Sequence, residues 1–251
     1  MTGILDATAL ALFLGSAFVG GLVTGLAGFA MGLVVSGVWL HILTPLQTTT
    51  LVVAFGLTLQ SYSIWKMRKA LNRQHVMPVI VGSVFGVPLG VYLLAFTNPA
   101  YLRLAVGLLL IAYGTHGLAR PKLRIVPPSV PAEIVLGFFN GILGGMTGLS
   151  GVFVTIWCSM RGWSKDVQRA VYQPVLVASA ILTSTGLVVT GAVTPDVVTL
   201  FLYGLPVQLA GMLVGMKLYG KLDDAGFRKI ILVLLLLSGL VLTIPELLAL
   251  R

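Results

Sequence analysis

Two glycine-rich stretches carry the residue types from which a ligand site inside a membrane can be built. They read Gly20-Gly21-Leu22-Val23-Thr24-Gly25-Leu26-Ala27-Gly28 and Asn140-Gly141-Ile142-Leu143-Gly144-Gly145-Met146-Thr147-Gly148-Leu149-Ser150-Gly151. Glycine lets a chain turn sharply and lets a ligand approach the backbone. A helix that starts after such a turn presents free N–H groups, and these together with the helix dipole bind an anion with no buried lysine. Thr24, Asn140, Thr147 and Ser150 add side-chain donors. Gly25, Gly28, Gly141, Gly144 and Gly148 offer the close backbone approach. Gln60 and Gln173 sit in the apolar runs that follow each stretch, so both complete the candidate substrate-binding set.

The elements that must position these residues follow from composition. The chain has 251 residues, of which 9% are charged and 57% hydrophobic, whereas a soluble domain carries about 25% charged residues. That much apolar surface requires lipid as solvent. Full-length spans are expected at about 46–65, 76–96, 101–119, 171–190, 196–217 and 230–248, with two interrupted apolar regions at 4–44 and 133–160. The first Lys or Arg is Lys66, and the missing basic n-region argues against a secretory signal.

Net charge is +9, but the basic residues form no single stripe of the kind that binds nucleic acid. Fourteen of the 16 lie in four clusters: Lys66, Arg68, Lys69, Arg73; Arg120, Lys122, Arg124; Arg161, Lys165, Arg169; and Lys217, Lys221, Arg228, Lys229. The positive-inside rule places all four in the cytoplasm, and puts the uncharged linkers Thr97–Ala100 and Gly191–Asp196 outside. Segment 133–160 then starts and ends on the cytoplasmic side with too few residues for two spans. It reads as a re-entrant hairpin of two half-helices with Gly141–Gly151 at the tip. Segment 4–44 reads as a hairpin from outside with Gly20–Gly32 near its tip, and is long enough for two complete crossings.

The halves resemble each other. At an offset of 116, Gly21, Gly25, Gly28 and Gly32 fall on Gly137, Gly141, Gly144 and Gly148; at 125, Gly86, Gly90, Arg103 and Gly114 fall on Gly211, Gly215, Arg228 and Gly239. The loop charges of the two halves are opposed, which makes the repeat inverted. The fold class expected is an all-α polytopic membrane protein with an inverted-topology repeat, each half a Gly-broken helix hairpin plus three transmembrane helices. The first repeat covers 1–120, a cytoplasmic linker 121–132, and the second repeat 133–251. Inverted repeats are an architecture of secondary transporters, whose sites lie near the midplane at broken helices.

Glycines also let membrane helices pack closely. Packing is the favoured reading for Gly86, Gly90, Gly211 and Gly215, and a site for the two tips. Gln208 and Tyr172 are further polar residues within spans; His41 and His116 lie near span ends and read as interfacial. Trp39, Trp65, Trp157 and Trp163 read as an aromatic belt. Cys158, alone, reads as an inert apolar filler. The seven acids all fall outside mid-span positions, so neither a cation site nor a carboxylate proton relay has a candidate, which favours an anionic or neutral substrate. No Walker, dinucleotide or HExxH motif is present, so no cofactor is expected. An intramembrane enzyme would need a paired nucleophile and base, and the spans offer none.

The pattern Gly21-x-x-x-Gly25-x-x-Gly28, its echo Gly137-x-x-Asn140-Gly141-x-x-Gly144, and Gly211-x-x-x-Gly215 followed by Phe227-Arg228 resemble the TauE/SafE family of sulfite and organosulfonate exporters. The likeness covers nearly the whole chain. The first tip, Gly25-Leu26-Ala27-Gly28-Phe29-Ala30-Met31-Gly32, departs from the GxGGG-like run of that family. The resemblance implies sulfite, sulfoacetate or related sulfonates as substrates and export as the direction; residue composition alone implies a small anion. An anion channel and a carboxylate transporter on the same scaffold are the alternatives. The expected partners are a small anionic substrate and the lipid bilayer of a bacterial inner membrane, with a homodimer as an open assembly and no nucleic acid.

Overall fold

The computed structural model describes residues 5–29, 31–67, 73–94, 99–119, 127, 129–147, 150–189 and 191–249. Every regular element among them is a helix: α1 (Ala7–Ala27), α2 (Met31–Ile42), α3 (Pro45–Met67), α4 (Arg73–Leu94), α5 (Pro99–Ala119), α6 (Val130–Thr147), α7 (Val152–Met160), α8 (Lys165–Val189), α9 (Pro195–Gly220) and α10 (Asp224–Ala249). The six full-length spans read from the sequence fall on α3, α4, α5, α8, α9 and α10. By length and composition, four described helices can cross a bilayer: α1, α8, α9 and α10. Large apolar side chains such as Phe85, Leu202, Trp65 and Val189 are exposed on helix surfaces, as lipid solvation requires.

Local signals set the helix ends. Asp6 caps α1 by accepting the Ala9 N–H at 2.6 Å, satisfying one of the donors that an α-helix leaves open. Thr194 does the same for α9, ahead of Pro195 at the first helical position. Gly28 ends α1 in the left-handed conformation with φ 80°, its N–H returning to the Thr24 carbonyl at 2.7 Å. An L-residue with a side chain is strained there, which is why glycine closes the helix.

The two interrupted regions are each a long helix followed by a short one. α1 and α2 have 21 and 12 residues; α6 and α7 have 18 and 9. At 1.5 Å per residue, α6 is about 27 Å long and α7 about 14 Å. The second region therefore contains one nearly full-length arm and one half-length arm rather than two half-helices. The breaks also fall later than the expected tips began. Gly20, Gly21 and Gly25 lie inside α1, and Gly141 and Gly144 inside α6.

The chain forms two compact units, Met1–Lys66 with Ala180–Lys221, and Met67–Ser179 with Leu222–Arg251. Each draws on both sequence halves. In the first unit α1 packs on α9 and α2. Gly21 and Gly25 lie on the backbone of Gln208 and Met212, while Gly211 and Gly215 lie on that of Phe18 and Leu22. In the second unit α6 packs on α4, and α5 on α10. There Gly137 and Gly141 lie on the backbone of Val79 and Ser83, and Gly86 and Gly90 on that of Phe138 and Ile142. Small residues let these helices touch backbone to backbone. Gly86, Gly90, Gly211 and Gly215 thus pack as the sequence suggested.

A similar pattern of glycine contacts recurs in the two units. Gly211 meets Phe18 and Leu22 where Gly86 meets Phe138 and Ile142, and Gly21 meets Gln208 where Gly141 meets Ser83. With α9 and α4 related by 125 positions, α1 and α6 are related by 120. Their last residues, Ala27 and Thr147, agree with that spacing. This spacing differs by about one helical turn from the offset of 116 read from the glycines. Four residues along a helix return to nearly the same face, so both offsets align glycines.

Candidate functional site

In the second unit the site builds from the break between α6 and α7. Asn140 is fully buried on α6. Its Oδ1 accepts the Gly151 N–H at 3.0 Å, tying the long arm to the start of the short one. Its Nδ2 is buried with no hydrogen-bond partner. Gly151 has φ 114° and precedes α7 without a side-chain cap. The first bond inside α7 runs from the Thr155 N–H to the Gly151 carbonyl at 2.9 Å. The N–H groups of Val152, Phe153 and Val154 therefore precede any intrahelical acceptor. Thr155, in the same first turn, is fully buried with an unpartnered hydroxyl. A buried amide donor, a buried hydroxyl and a helix N-terminus in one place form a set suited to a small anion.

Sequence-predicted residues distribute around this break. Gly144 faces Ser150, the residue where the chain returns after the break; a Cβ at Gly144 would lie 2.9 Å from that of Ser150. Gly141 instead packs on α4, next to the Ser83 hydroxyl that donates to the Gly137 carbonyl at 3.0 Å. Thr147 is the last residue of α6, and Gly148 lies outside the described residues. Gln173 is buried on α8, and its amide oxygen is oriented to accept from Nε and Nη2 of Arg169, each at 3.2 Å.

In the first unit the corresponding break follows Gly28. Thr24 is buried and donates to the Gly20 carbonyl at 2.9 Å. Gly25 packs on the Met212 and Met216 backbone, so its missing side chain serves helix contact there. Gln208 is fully buried on α9 against Gly20 and Gly21; its Nε2 reaches the Met31 sulfur at 3.0 Å and its Oε1 has no partner. The sequence named Gln208 as a polar residue in a span but left it out of the site. The usable signal was its position three residues before Gly211, on the face that must meet the broken helix. Gln60 is half-buried on α3, with a buried and unpartnered Oε1.

Several charged and aromatic residues depart from the sequence reading. Trp39 is no belt anchor. It is completely buried, stacked on Phe13 with ring centroids 4.8 Å apart, and it donates to the Ser16 hydroxyl at 2.8 Å. Arg161 and Arg169, read as members of a cytoplasmic cluster, are both buried. Charge counting registers a residue's type and not its partner. Arg161 pairs with Glu133 at 2.5 Å, and Glu133 also meets His75 Nδ1 at 3.1 Å. The acid at the start of α6 is thus a buried carboxylate, which the sequence did not foresee. His41 and His116 are exposed in the last turns of α2 and α5. Cys158 is buried with a free thiol.

No curated protein and no solved structure matches this chain. The family model described as Sulfite exporter TauE/SafE matches residues 12–242. That match takes in all or part of every helix, both breaks and the buried polar residues around them, and this multi-pass membrane protein belongs to the TauE/SafE sulfite exporter family.

Proposed function

We propose that this protein is a secondary carrier of a small anion, with sulfite or an organosulfonate as the substrate class and export as the direction. Family membership supports a transporter. The observation that carries the anion reading is Asn140, whose carboxamide bridges the α6–α7 break through Oδ1 and leaves a buried Nδ2 donor without a partner. An unsatisfied buried donor costs about 1–3 kcal/mol, a cost that an anion bound at the α7 N-terminus would relieve. Val152, Phe153 and Val154 supply backbone donors, and Ser150 and Thr155 hydroxyl groups. Thr24, Gly25, Gly28 and Gln60, with Gln208, are the candidates at the other break, and Gln173 and Gly144 flank the first.

The shared contact pattern at offsets of 120 and 125 supports descent of both hairpins from one duplicated unit, and the opposed loop charges support inverted orientations. On this reading the two halves exchange conformations to give alternating access.

The test is a melting-temperature panel on the detergent-solubilised protein with sulfite, sulfoacetate, size-matched carboxylates and cations, since a ligand that prefers the folded state raises the midpoint. Sulfite or sulfoacetate should raise it and matched carboxylates should not. Asn140→Leu should fold and insert yet lose that shift. A shift from carboxylates alone would reassign the substrate, and an unchanged shift in Asn140→Leu would remove Asn140 from the site.

A further inference from the structure

Resting on the carrier reading, we propose that Glu133 and His75 form a proton-binding site that couples proton movement to anion transport. The composition left coupling unexplained, because no acid lay mid-span. Among the described residues Glu133 is the one buried carboxylate, with a side chain 2% exposed. Ionisable groups held inside membrane proteins commonly mark proton pathways.

The geometry supplies a route and a mechanism. His75, in the first turn of α4, has a side chain 22% exposed, while its Nδ1 lies 3.1 Å from Glu133 Oε1. One edge of the imidazole can therefore take a proton from water at Nε2 while Nδ1–H passes its proton to the carboxylate. The histidine ends neutral and Glu133 ends as the acid, so the exchange balances. Histidine suits this role because its two ring nitrogens can take up and release a proton at opposite edges.

Neutralising Glu133 removes one charged partner of the buried Arg161. Here the Arg161 guanidinium lies over the Trp157 ring at 4.5 Å and the Trp163 ring at 5.4 Å, and His75 packs on Trp163 at 4.8 Å. Two aromatic faces hold the cation while the carboxylate is neutral. That provision fits a carboxylate that changes charge, whereas a permanent ion pair does not need it.

Among the described residues, Cys158 is a buried thiol on α7, three residues before Arg161. Tyr113, on α5, donates to the Ile156 carbonyl of α7 at 3.5 Å. From α4 the group facing the carboxylate is His75 itself.

The proton site and the anion donor share one helix. Glu133 and Asn140 are seven residues apart on α6, which places them on one stripe about 10 Å apart along the axis. A proton added at Glu133, or at His75 beside it, makes this end of α6 more positive when the anion is bound, which predicts symport: the exported anion leaves with a proton, and an acid-outside gradient drives the same step in reverse as uptake.

The experiment uses the full chain in proteoliposomes with labelled sulfoacetate and a trapped pH dye. Two rates are read: exchange at equal pH and concentration, and uptake under an acid-outside gradient. Wild type should show gradient-stimulated uptake with acidification of the lumen. His75→Gln should bring the ratio of driven uptake to exchange down to one and abolish acidification. Glu133→Gln should do the same provided it purifies as a folded species; His75→Gln, altering a partly exposed side chain, keeps the test valid if it does not. A wild-type ratio of one, or a wild-type ratio retained in His75→Gln, overturns the coupling site while exchange still upholds the carrier. Absence of exchange in wild type overturns the carrier reading and the coupling with it.

Discussion

The bases of the two broken hairpins solve the same packing problem with opposite chemistry. At the 120-residue offset Phe13 of α1 corresponds to Glu133 of α6. Each reaches the far end of its short partner helix: Phe13 stacks on Trp39 in the last turn of α2, and Glu133 pairs with Arg161 at the C-cap of α7. The first pair continues into an apolar cluster, with Phe55 5.8 Å from Trp39 and Phe201 4.8 Å from Phe55. The second continues into polar and titratable groups, His75 and the rings of Trp157 and Trp163. On the proposed duplication, a scaffold that needed only closure could have kept the aromatic solution twice. A buried ion pair contributes little net stability, and its presence at the second hairpin base is what the proposed proton site requires.

The largest predicted effect tests that contrast. Arg161→Met leaves Glu133 buried without its cation and should cost about 3–5 kcal/mol. Adding Glu133→Leu removes the orphaned charge and should recover most of the loss, since buried pairs exchanged for apolar residues are often neutral or stabilising. In the first unit Phe13→Ala should also cost about 3–5 kcal/mol. No substitution of comparable kind at Trp39 should restore it, because the defect there is a cavity. Thermal unfolding of these three variants in detergent, with a Phe13→Ala/Trp39→Leu double variant as the fourth, measures both halves of the contrast. A double variant no better than Arg161→Met would mean the ion pair is valued for its geometry and the two bases differ less than their chemistry suggests.

A smaller effect probes what the hairpins share. Gly21 and Gly141 hold matched positions, and a Cβ at either would meet the opposing backbone at under 3.0 Å. Backbone yields poorly, so Gly21→Ala and Gly141→Ala should each cost about 1–3 kcal/mol. Equal losses support one packing design used twice. A loss at only one position would confine the backbone-to-backbone contact to that unit.

The comparison also explains what could be read from the sequence. The two interrupted regions were legible because span length and loop charge are properties of residue type and count, and these put the breaks in the right segments. Which glycine makes the turn was not legible. Gly25 and Gly28 look alike in a sequence, yet Gly25 is helical and lies on the Met212 backbone while Gly28 turns at φ 80°. Both uses need a missing Cβ, and only the backbone angle separates them. The same limit hid Trp39, Arg161 and Glu133. Each residue type favours an interface or a loop until a specific partner removes it from solvent, and those partners lie 23 or more positions away. Asn140 stood out because a lone carboxamide in an apolar, glycine-rich run has few structural uses, and its buried Nδ2 without a partner keeps it a candidate.

The smallest predicted effect separates a glycine's cost to its own helix from its value in a contact. Gly15 lies on α1 six residues before Gly21, is exposed, and has nothing within 4 Å of where its Cβ would stand. Alanine there gains helix propensity without a clash, so Gly15→Ala should raise stability by about 0.5–1 kcal/mol. Gly21→Ala, in the same helix and the same backbone conformation, should lower it. The sign change isolates the α9 backbone as the cause, because helix propensity acts alike on both. If Gly15→Ala were destabilising by as much as Gly21→Ala, the loss would belong to α1 itself. The close approach of α1 to α9 would then no longer account for the glycines of the first hairpin, and their match to Gly141 and its neighbours would have to rest on the turn alone.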